Sequence, residues 1–251
     1  MNVYNRRRSI AITRPGQTVC AALLLAATPF ACAGNFGVSP LRVDLKAAHR
    51  LEVLTVTNSD DQPLAIQVQL LLWSQQDGEE QYVDTRDLLA TPPIFKMGPH
   101  GQQIIRIALR REPDPARELD YRVLITEIPQ PPAKDFSGLQ IALRMSLPIF
   151  VAPAVPEHAE LQWQAHWSSD GSLQISATNA GNAHAKVTDF DVRFDGSDSP
   201  AHVAVTRYVL PGSRVSWTLR PEGGTNRQAA IHLHGTTDRG EFAADVADVG
   251  S

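Results

Sequence analysis

The sequence predicts an all-β protein made of two sandwich domains in tandem. Short runs of Val, Ile, Leu and Thr alternate with turn-forming residues along the chain. No amphipathic helical pattern of useful length interrupts these runs. A proline-flanked segment, 153–157, divides them into two groups of similar size, which fits two domains of about 100 residues each.

The first group, assigned to a domain at 34–152, contains seven predicted strands. Most of them are bounded by turn formers, such as Asp-Gly, Pro-x-Gly or a proline-rich loop. The predicted strands are 36–45, 51–58, 64–73, 94–97, 102–109, 121–128 and 139–151.

The second group, assigned to a domain at 158–251, also contains seven predicted strands. They are 160–167, 172–178, 185–194, 203–208, 214–219, 228–234 and 241–246. Seven short strands in about 100 residues are typical of an immunoglobulin-like sandwich, here without the Cys-Trp-Cys signature. A faint internal repeat supports two related domains, because Asn58 and Asn179 each end a strand at a turn.

Residues 1–33 have the organisation of a secretory signal peptide. Four arginines precede a short apolar run at 19–27, and Ala31-Cys32-Ala33 supplies a small-residue cleavage site. The run is too short to span a bilayer comfortably, and no later segment approaches the ~20 apolar residues of a membrane helix. We therefore expect an exported chain that is not embedded in a membrane. Both cysteines fall in this segment, so no disulfide is expected after cleavage.

The charge balance disfavours one class of partner. Without the four arginines of the signal segment, the chain keeps 19 basic and 27 acidic residues, a net charge of −8. Binding to nucleic acid depends on neutralising phosphates with Lys and Arg. We therefore expect no nucleic-acid partner.

Residues that carry catalytic or metal chemistry are sparse. His232 and His234 share one strand face and could bind zinc, but no further ligand has supporting spacing, so no metal site is expected. No nucleophile elbow, phosphate-binding glycine loop or His-Glu-x-x-His motif is present, so neither an enzyme nor a cofactor is expected. Two groups of carboxylates are expected to be solvated: Asp77, Glu79 and Glu80, and Asp114, Glu118 and Asp120.

The last predicted strand of the first domain has a large apolar side chain at every second position. Alternation of this kind places Leu139, Ile141, Leu143, Met145 and Leu147 on one face. The last strand of a domain is often an edge strand, and an apolar edge invites pairing with another chain. An ordinary strand that faces its own core is the alternative that the alternation leaves open.

Several segments in a fixed order carry a resemblance to a known family. They are 38–43, 56–58, 91–95, 104–107, 121–122, 127–129 and 139–150. With these segments the chain resembles the PapD-like periplasmic pilus chaperones, within the archaic, spore-coat-type branch of chaperone–usher systems.

The resemblance implies two immunoglobulin-like domains set at an angle and a non-enzymatic activity in the periplasm of a Gram-negative bacterium. Such chaperones bind pilin subunits, which lack the last strand of their own sandwich, and act with an outer-membrane usher. The chaperone's strand fills the empty groove, a form of β-augmentation. The resemblance therefore assigns the apolar stripe from Leu139 to Leu147 to subunit binding. Capping of the free strand by a homodimer remains open.

The resemblance also implies a site for the C-terminal carboxylate of the subunit. Arg42 matches the arginine of this site, and a guanidinium offers a carboxylate two parallel donors. Better-known members place a lysine where this chain has Pro148, and Arg144 is the expected substitute. Arg106 and Glu127 match positions with structural roles.

Two other classes of function are retained as alternatives. The first is an exported all-β subunit of a pilus, structural or adhesive, although the chain runs into a strand soon after residue 34 and shows no separate donor extension. The second is an exported metal-binding or hydrolytic enzyme, which depends on His232 and His234 alone.

Overall fold

The computed structural model describes residues 36–129, 141–196, 200–204, 206–221 and 226–246. These residues form eighteen strands and no helix, so they contain no helix that could cross a membrane. The all-β prediction is confirmed. The predicted signal peptide, 1–33, and Leu139 lie outside the described residues.

Ten strands form the first sandwich. They are β1 Phe36–Ser39, β2 Val43–Leu45, β3 Leu51–Asn58, β4 Leu64–Gln76, β5 Glu79–Asp84, β6 Leu88–Thr91, β7 Ile94–Met97, β8 Gln102–Leu109, β9 Leu119–Glu127 and β10 Arg144–Val151. One sheet has the order β1-β3-β8-β6, and the other has the order β2-β10-β9-β4-β5, with β7 also paired to β4. Side chains such as Ile66, Ile105 and Ile125 fill the core between them.

Eight strands form the second sandwich. They are β11 Leu161–Trp167, β12 Leu173–Asn179, β13 Ala185–Phe194, β14 Ala201–Val203, β15 Arg207–Val209, β16 Arg214–Leu219, β17 Ile231–Thr237 and β18 Gly240–Val246. The sheets run β11-β12-β16 and β14-β13-β17-β18, and β15 pairs with β13. Trp163 stacks on Trp217 with ring centroids 5.6 Å apart and helps to fill this core.

The predicted strands need three corrections. The predicted strand 36–45 is two strands, because the chain leaves one sheet after Ser39 and joins the other at Val43. The predicted strand 203–208 likewise divides between β14 and β15. Strands β5 and β6 were not predicted, and β5 has side chains that are exposed on both faces, so it lacks the apolar alternation of a half-buried strand.

The repeated asparagine has the same role in both sandwiches. The side-chain amide nitrogen of Asn58 donates to the carbonyl oxygens of Gln62 and Gly98. That of Asn179 donates to the carbonyl oxygens of Ala183 and Val209. Each asparagine is buried and satisfies backbone groups at the end of its strand.

The two sandwiches meet at an aromatic contact. Trp73 and Phe150 of the first sandwich pack against Leu210 of the second, with Tyr208 beside them. Gln75 adds two hydrogen bonds across the contact: its amide nitrogen donates to the carbonyl of Tyr208, and its amide oxygen accepts from the N–H of Leu210.

Candidate functional site

One edge of β10 is open along part of its length. β10 pairs with β9 over all eight residues, from Arg144 to Val151. On its other side β2 pairs only with Ile149–Val151. Among the described residues, no strand covers the outer edge from Arg144 to Pro148. This stretch can therefore accept a further strand.

The hydrogen-bond pattern shows which backbone groups are available on this edge. The carbonyl of Leu143 accepts from the N–H of Glu127. Because backbone groups alternate between the two sides of an antiparallel strand, those of Ala142, Arg144 and Ser146 point to the open edge. Pro148 has no N–H to offer, so the row of donors ends just before the part that β2 covers.

The apolar stripe that ends in β10 is buried in the core of the first sandwich at Leu147 and becomes exposed toward Ile141. Leu147 is 6% exposed, Met145 packs partly against the same core, Leu143 is 36% exposed and Ile141 is 47% exposed. Leu147 is opposite Val123 in the ladder, on the core side. The expectation that Leu147 is free for a partner is corrected, because its own core occupies it. Ile141 and Leu143 are the exposed members among the described residues of the stripe.

Glu127 holds the start of the open segment. Its carboxylate accepts a hydrogen bond from the N–H of Leu143 at 3.1 Å, and its own N–H donates to the carbonyl of Leu143 at 2.9 Å. Leu143 lies just before β10, so these two bonds extend the ladder by one residue. Glu127 thus fixes the position at which the exposed stripe leaves the sandwich.

The opposite face of β10 borders the contact between the sandwiches, where two guanidinium groups lie against packed aromatic rings. We call this region the junction cleft and define it by Arg42, Arg122, Trp73, Phe150 and Tyr208. The Cζ atom of Arg122 lies 3.7 Å from the ring centroid of Trp73 and 5.5 Å from that of Tyr208. The Cζ atom of Arg42 lies 4.9 Å from the ring centroid of Phe150. Aromatic faces thus support two guanidinium groups.

Both arginines act on Tyr208. Burial raises the pKa of the Tyr208 hydroxyl, and the positive charges of Arg122 and Arg42 oppose that rise. Nε of Arg122 is buried and has no hydrogen-bond partner among the described residues. Arg42 is bound to Asp44 through Nε at 2.7 Å and lies 3.7 Å from Asp238. The cleft therefore offers one buried donor without a partner and one half-exposed guanidinium.

Arg144 is not part of this cleft. It lies on the same face of β10 as Pro148 and Phe150, but it precedes Phe150 by six positions, which is about 20 Å along a strand. Arg122 instead lies directly opposite Pro148 on the neighbouring strand. Arg122 is therefore the second arginine at the junction cleft, and the expected role of Arg144 in carboxylate binding stays a prediction.

Comparison with known proteins follows the same division of the chain. Residues 35–156 match the family model of the pili and flagellar-assembly chaperones, PapD N-terminal domain. This stretch belongs to that family. The PapD-type domain thus contains β1 to β10, the open edge of β10 and the first-sandwich residues of the junction cleft. The predicted resemblance to PapD-like chaperones is confirmed.

Individual relatives are similar to parts or all of the chain. The chaperone protein FaeE of Escherichia coli is 39% identical over 72 residues, a match that covers 28% of this chain and 27% of that relative. The crystal structure of the CsuC–CsuE chaperone–tip adhesion subunit complex, from the archaic Csu pili of Acinetobacter baumannii, matches with a TM-score of 0.65 at 17% identity; the match covers 86% of this chain and all of that one. The E. coli chaperone DraB matches with a TM-score of 0.58 at 21% identity, over 86% of this chain and 98% of that one. These structural likenesses show the two-sandwich fold.

A buried polar cluster joins the PapD-type domain to the second sandwich. Oε1 of Glu118 accepts hydrogen bonds from the backbone N–H of His184 at 2.9 Å and from its ring Nδ1 at 2.7 Å. Glu118 and Asp120 are 2% and 6% exposed. The expectation that they are solvated is wrong, because the second sandwich covers them.

The ionisation of this cluster is strongly perturbed. Burial, together with the charge of Glu118, holds the pKa of Asp120 well above its ordinary value. Burial would also raise the pKa of Glu118, but the hydrogen bond from His184 keeps it below its ordinary value. Burial opposes a charge on His184, yet the carboxylates of Asp238 and Glu118 beside its ring raise its pKa.

The histidine pair of β17 has a different environment. The ring nitrogens of His232 lie 2.7 Å from Asp245 and 3.0 Å from Asp195, both on the surface. His234 is exposed and is opposite Asp191 in the ladder. The groups of three or more candidate metal ligands in the described part of the chain do not include either histidine.

Proposed function

We propose that this chain is a periplasmic chaperone that binds pilus subunits by donor-strand complementation and passes them to an outer-membrane usher. Residues 1–33 would be its export signal. The observation that carries the proposal is the open edge of β10, where an apolar stripe leaves the core beside backbone groups that no described strand pairs. The PapD-type family of the first domain supports it. So do structural relatives that were solved with a tip subunit or with the pilin SafA.

The stripe would supply hydrophobic contacts to a subunit that lacks one strand. Full burial of an aliphatic side chain contributes about 1.5–3 kcal/mol. Ile141 and Leu143 together would therefore contribute at most about 3–6 kcal/mol, before the cost of association is subtracted. Leu139 would extend the stripe by one position, and Met145 would contribute its exposed part.

The backbone would supply the register. The backbone N–H and C=O groups of Ala142, Arg144 and Ser146 on the open edge would form a ladder with a strand that borders the subunit groove. A slip of one residue would turn the apolar side chains away from the groove, so only one alignment satisfies both the ladder and the pockets.

The junction cleft would bind the C-terminal carboxylate of the subunit between Arg42 and Arg122. Arg122 brings a donor that lacks a partner in the free chain, and hydrogen bonds to charged groups are among the strong ones. Arg42 would exchange part of its contact with Asp44 for the new carboxylate. The aromatic rings of Trp73 and Phe150 fix both guanidinium groups from one side.

Co-expression with the pilin of a neighbouring gene tests the proposal. We expect a 1:1 complex with the unaltered chain, and no complex with the double variant Ile141→Glu, Leu143→Glu. The matched control is Ile104→Glu, Leu89→Glu, which alters two side chains of similar exposure in the other sheet. The control should retain the complex.

Recovery of an undiminished complex from the Ile141, Leu143 double variant, with the variant folded, would reject the strand donation. If only the Ile104, Leu89 control failed to form the complex, the binding surface would lie on the other sheet.

A further inference from the structure

Three potential metal ligands from two sandwiches meet in the buried cluster at the domain junction. Glu118 lies just before β9, Asp120 lies on β9, and His184 lies just before β13. Each offers one ligand atom, and these three atoms lie within 4.8 Å of one another. The side chains of Glu118 and His184 are each 1% exposed.

The cluster contains polar atoms whose hydrogen-bonding capacity is unused. Oε2 of Glu118, Oδ1 of Asp120 and Nε2 of His184 are buried, and among the described residues none of them has a partner with hydrogen-bond geometry. Leaving such groups unpaired is costly, and buried charges in proteins are paired or bind metals. A ligand at this position would satisfy at least the two carboxylate oxygens.

We propose that Glu118, Asp120 and His184 bind a divalent transition-metal ion, Zn²⁺ by the nature of the donors. One imidazole and two carboxylates are ligands that zinc takes in proteins, whereas Ca²⁺ and Mg²⁺ prefer oxygen alone. Two carboxylates and a neutral imidazole also balance the charge of the ion within a site that is closed to water.

The surroundings of His184 fit a metal ligand. Its Nδ1 faces the carboxylate of Glu118, and its Nε2 lies 3.4 Å from Oδ2 of Asp238, an ion-pair distance without hydrogen-bond geometry. Metal-bound histidines usually direct their other ring nitrogen at a carboxylate, which orients the ring. The ring also stacks on Phe150 with centroids 3.6 Å apart, so its plane is fixed from a second side.

Apart from the ring of His184, which pairs with Glu118, the two carboxylates have no cationic contact from Arg117 or Arg42. Arg117 donates to the carbonyl of Pro211, and Arg42 pairs with Asp44 and Asp238. Among the described residues, neither arginine forms an ion pair with Glu118 or Asp120. A metal ion would take the place of the protons that the cluster otherwise holds.

An ion at this position would connect the sandwiches, because two ligands belong to the first and one to the second. Phe150 and Tyr208 of the junction cleft lie beside the ring of His184. Bound metal would therefore hold the second sandwich against the face of β10 that carries the cleft.

Calorimetric titration of the EDTA-treated chain with ZnCl₂ tests the site. We expect one Zn²⁺ per chain for the unaltered protein, loss of binding in Asp120→Asn, and binding roughly 10- to 100-fold weaker in Asp238→Asn, which replaces the carboxylate behind His184 by an amide. The control His232→Gln removes the surface histidine and should bind as the unaltered chain does. Zn²⁺ should also raise the midpoint of thermal unfolding of the unaltered chain, since the ligand binds the folded state.

If the unaltered chain took up no Zn²⁺, the proposal would be overturned, and the cluster would hold protons only. Equal binding by the unaltered chain and Asp238→Asn, with loss in His232→Gln, would move the metal to the surface of β17. Neither result depends on the Asp120→Asn variant, so the test holds even if that variant does not fold. Subunit capture is measured separately, so either outcome leaves the proposed chaperone function to its own test.

Discussion

Arg122 lies directly opposite Pro148 in the antiparallel ladder between β9 and β10. The pairing places a guanidinium beside position 148, where the resemblance to pilus chaperones implies a lysine. Proline cannot carry that charge, but the neighbouring strand presents it from the same face. The basic group at the junction cleft is thus supplied across the ladder rather than along the strand.

Loss of either cleft arginine should weaken subunit binding. A hydrogen bond to a charged group contributes about 1.5–3 kcal/mol, so Arg122→Ala should raise the Kd for the pilin roughly 10-fold or more. Arg42→Ala should have a smaller effect, because its side chain is 43% exposed and water screens it. The measurement is calorimetry or displacement with purified pilin.

Arg144→Ala is the matched control for the two cleft variants, because it removes the same charge from β10 at a distance from the cleft. A loss of affinity in Arg144→Ala that equals the loss in Arg122→Ala would count against the assignment of Arg122.

Removal of the Glu127 carboxylate should loosen the start of the open segment. Glu127→Ala deletes the acceptor of the Leu143 N–H, so hydrogen exchange at that amide should become faster. The hydrogen bond from the N–H of Glu127 to the carbonyl of Leu143 remains, so the ladder inside β10 should keep its protection. Unchanged exchange at Leu143 would show that the side-chain bond does not hold this residue.

The buried asparagine of the second sandwich should be important for stability. Asn179→Ala leaves the carbonyls of Ala183 and Val209 without their donor, and each unpaired group costs about 1–3 kcal/mol. Urea unfolding should therefore show a loss of about 2–5 kcal/mol. Gln174→Ala on the same strand is exposed and should change stability by no more than about 0.5 kcal/mol.

His232 should titrate above the ordinary value of a histidine. Hydrogen bonds to Asp245 and Asp195 raise its pKa above about 6.5. Because the folded-state pKa is the higher one, its contribution to stability is complete below the unfolded pKa and is lost as pH rises through the folded value. NMR titration should show a raised midpoint that Asp245→Asn lowers. A midpoint at or below about 6.5 in the unaltered chain would contradict the hydrogen bonds.

Much of the fold was predictable because half-buried strands alternate. β3, β7 and β8 begin and end where the pattern predicted. β5 was not predicted because its side chains face water on both sides, so it lacks the alternation of buried and exposed positions. The division at Pro40 also escaped, because the apolar residues on either side of it belong to different sheets.

The candidate site was predictable only in part. Alternation correctly placed Met145 and Leu147 on one face, but the point at which the core ends depends on the opposing sheet and on nothing local to β10. Arg122 and His184 gain their roles from the contact between the sandwiches. A charged residue inside the apolar strand 121–125 is a signal that could have drawn attention to Arg122.

Residue-resolved hydrogen exchange, with and without bound pilin, tests the donation of β10 most directly. In the free chain the amides of Arg144 and Ser146 face the open edge, whereas those of Met145 and Leu147 face β9. We predict that pilin slows exchange at Ala142, Arg144 and Ser146 and changes Met145 and Leu147 little. Unchanged exchange at these three amides in a saturated complex would contradict the account.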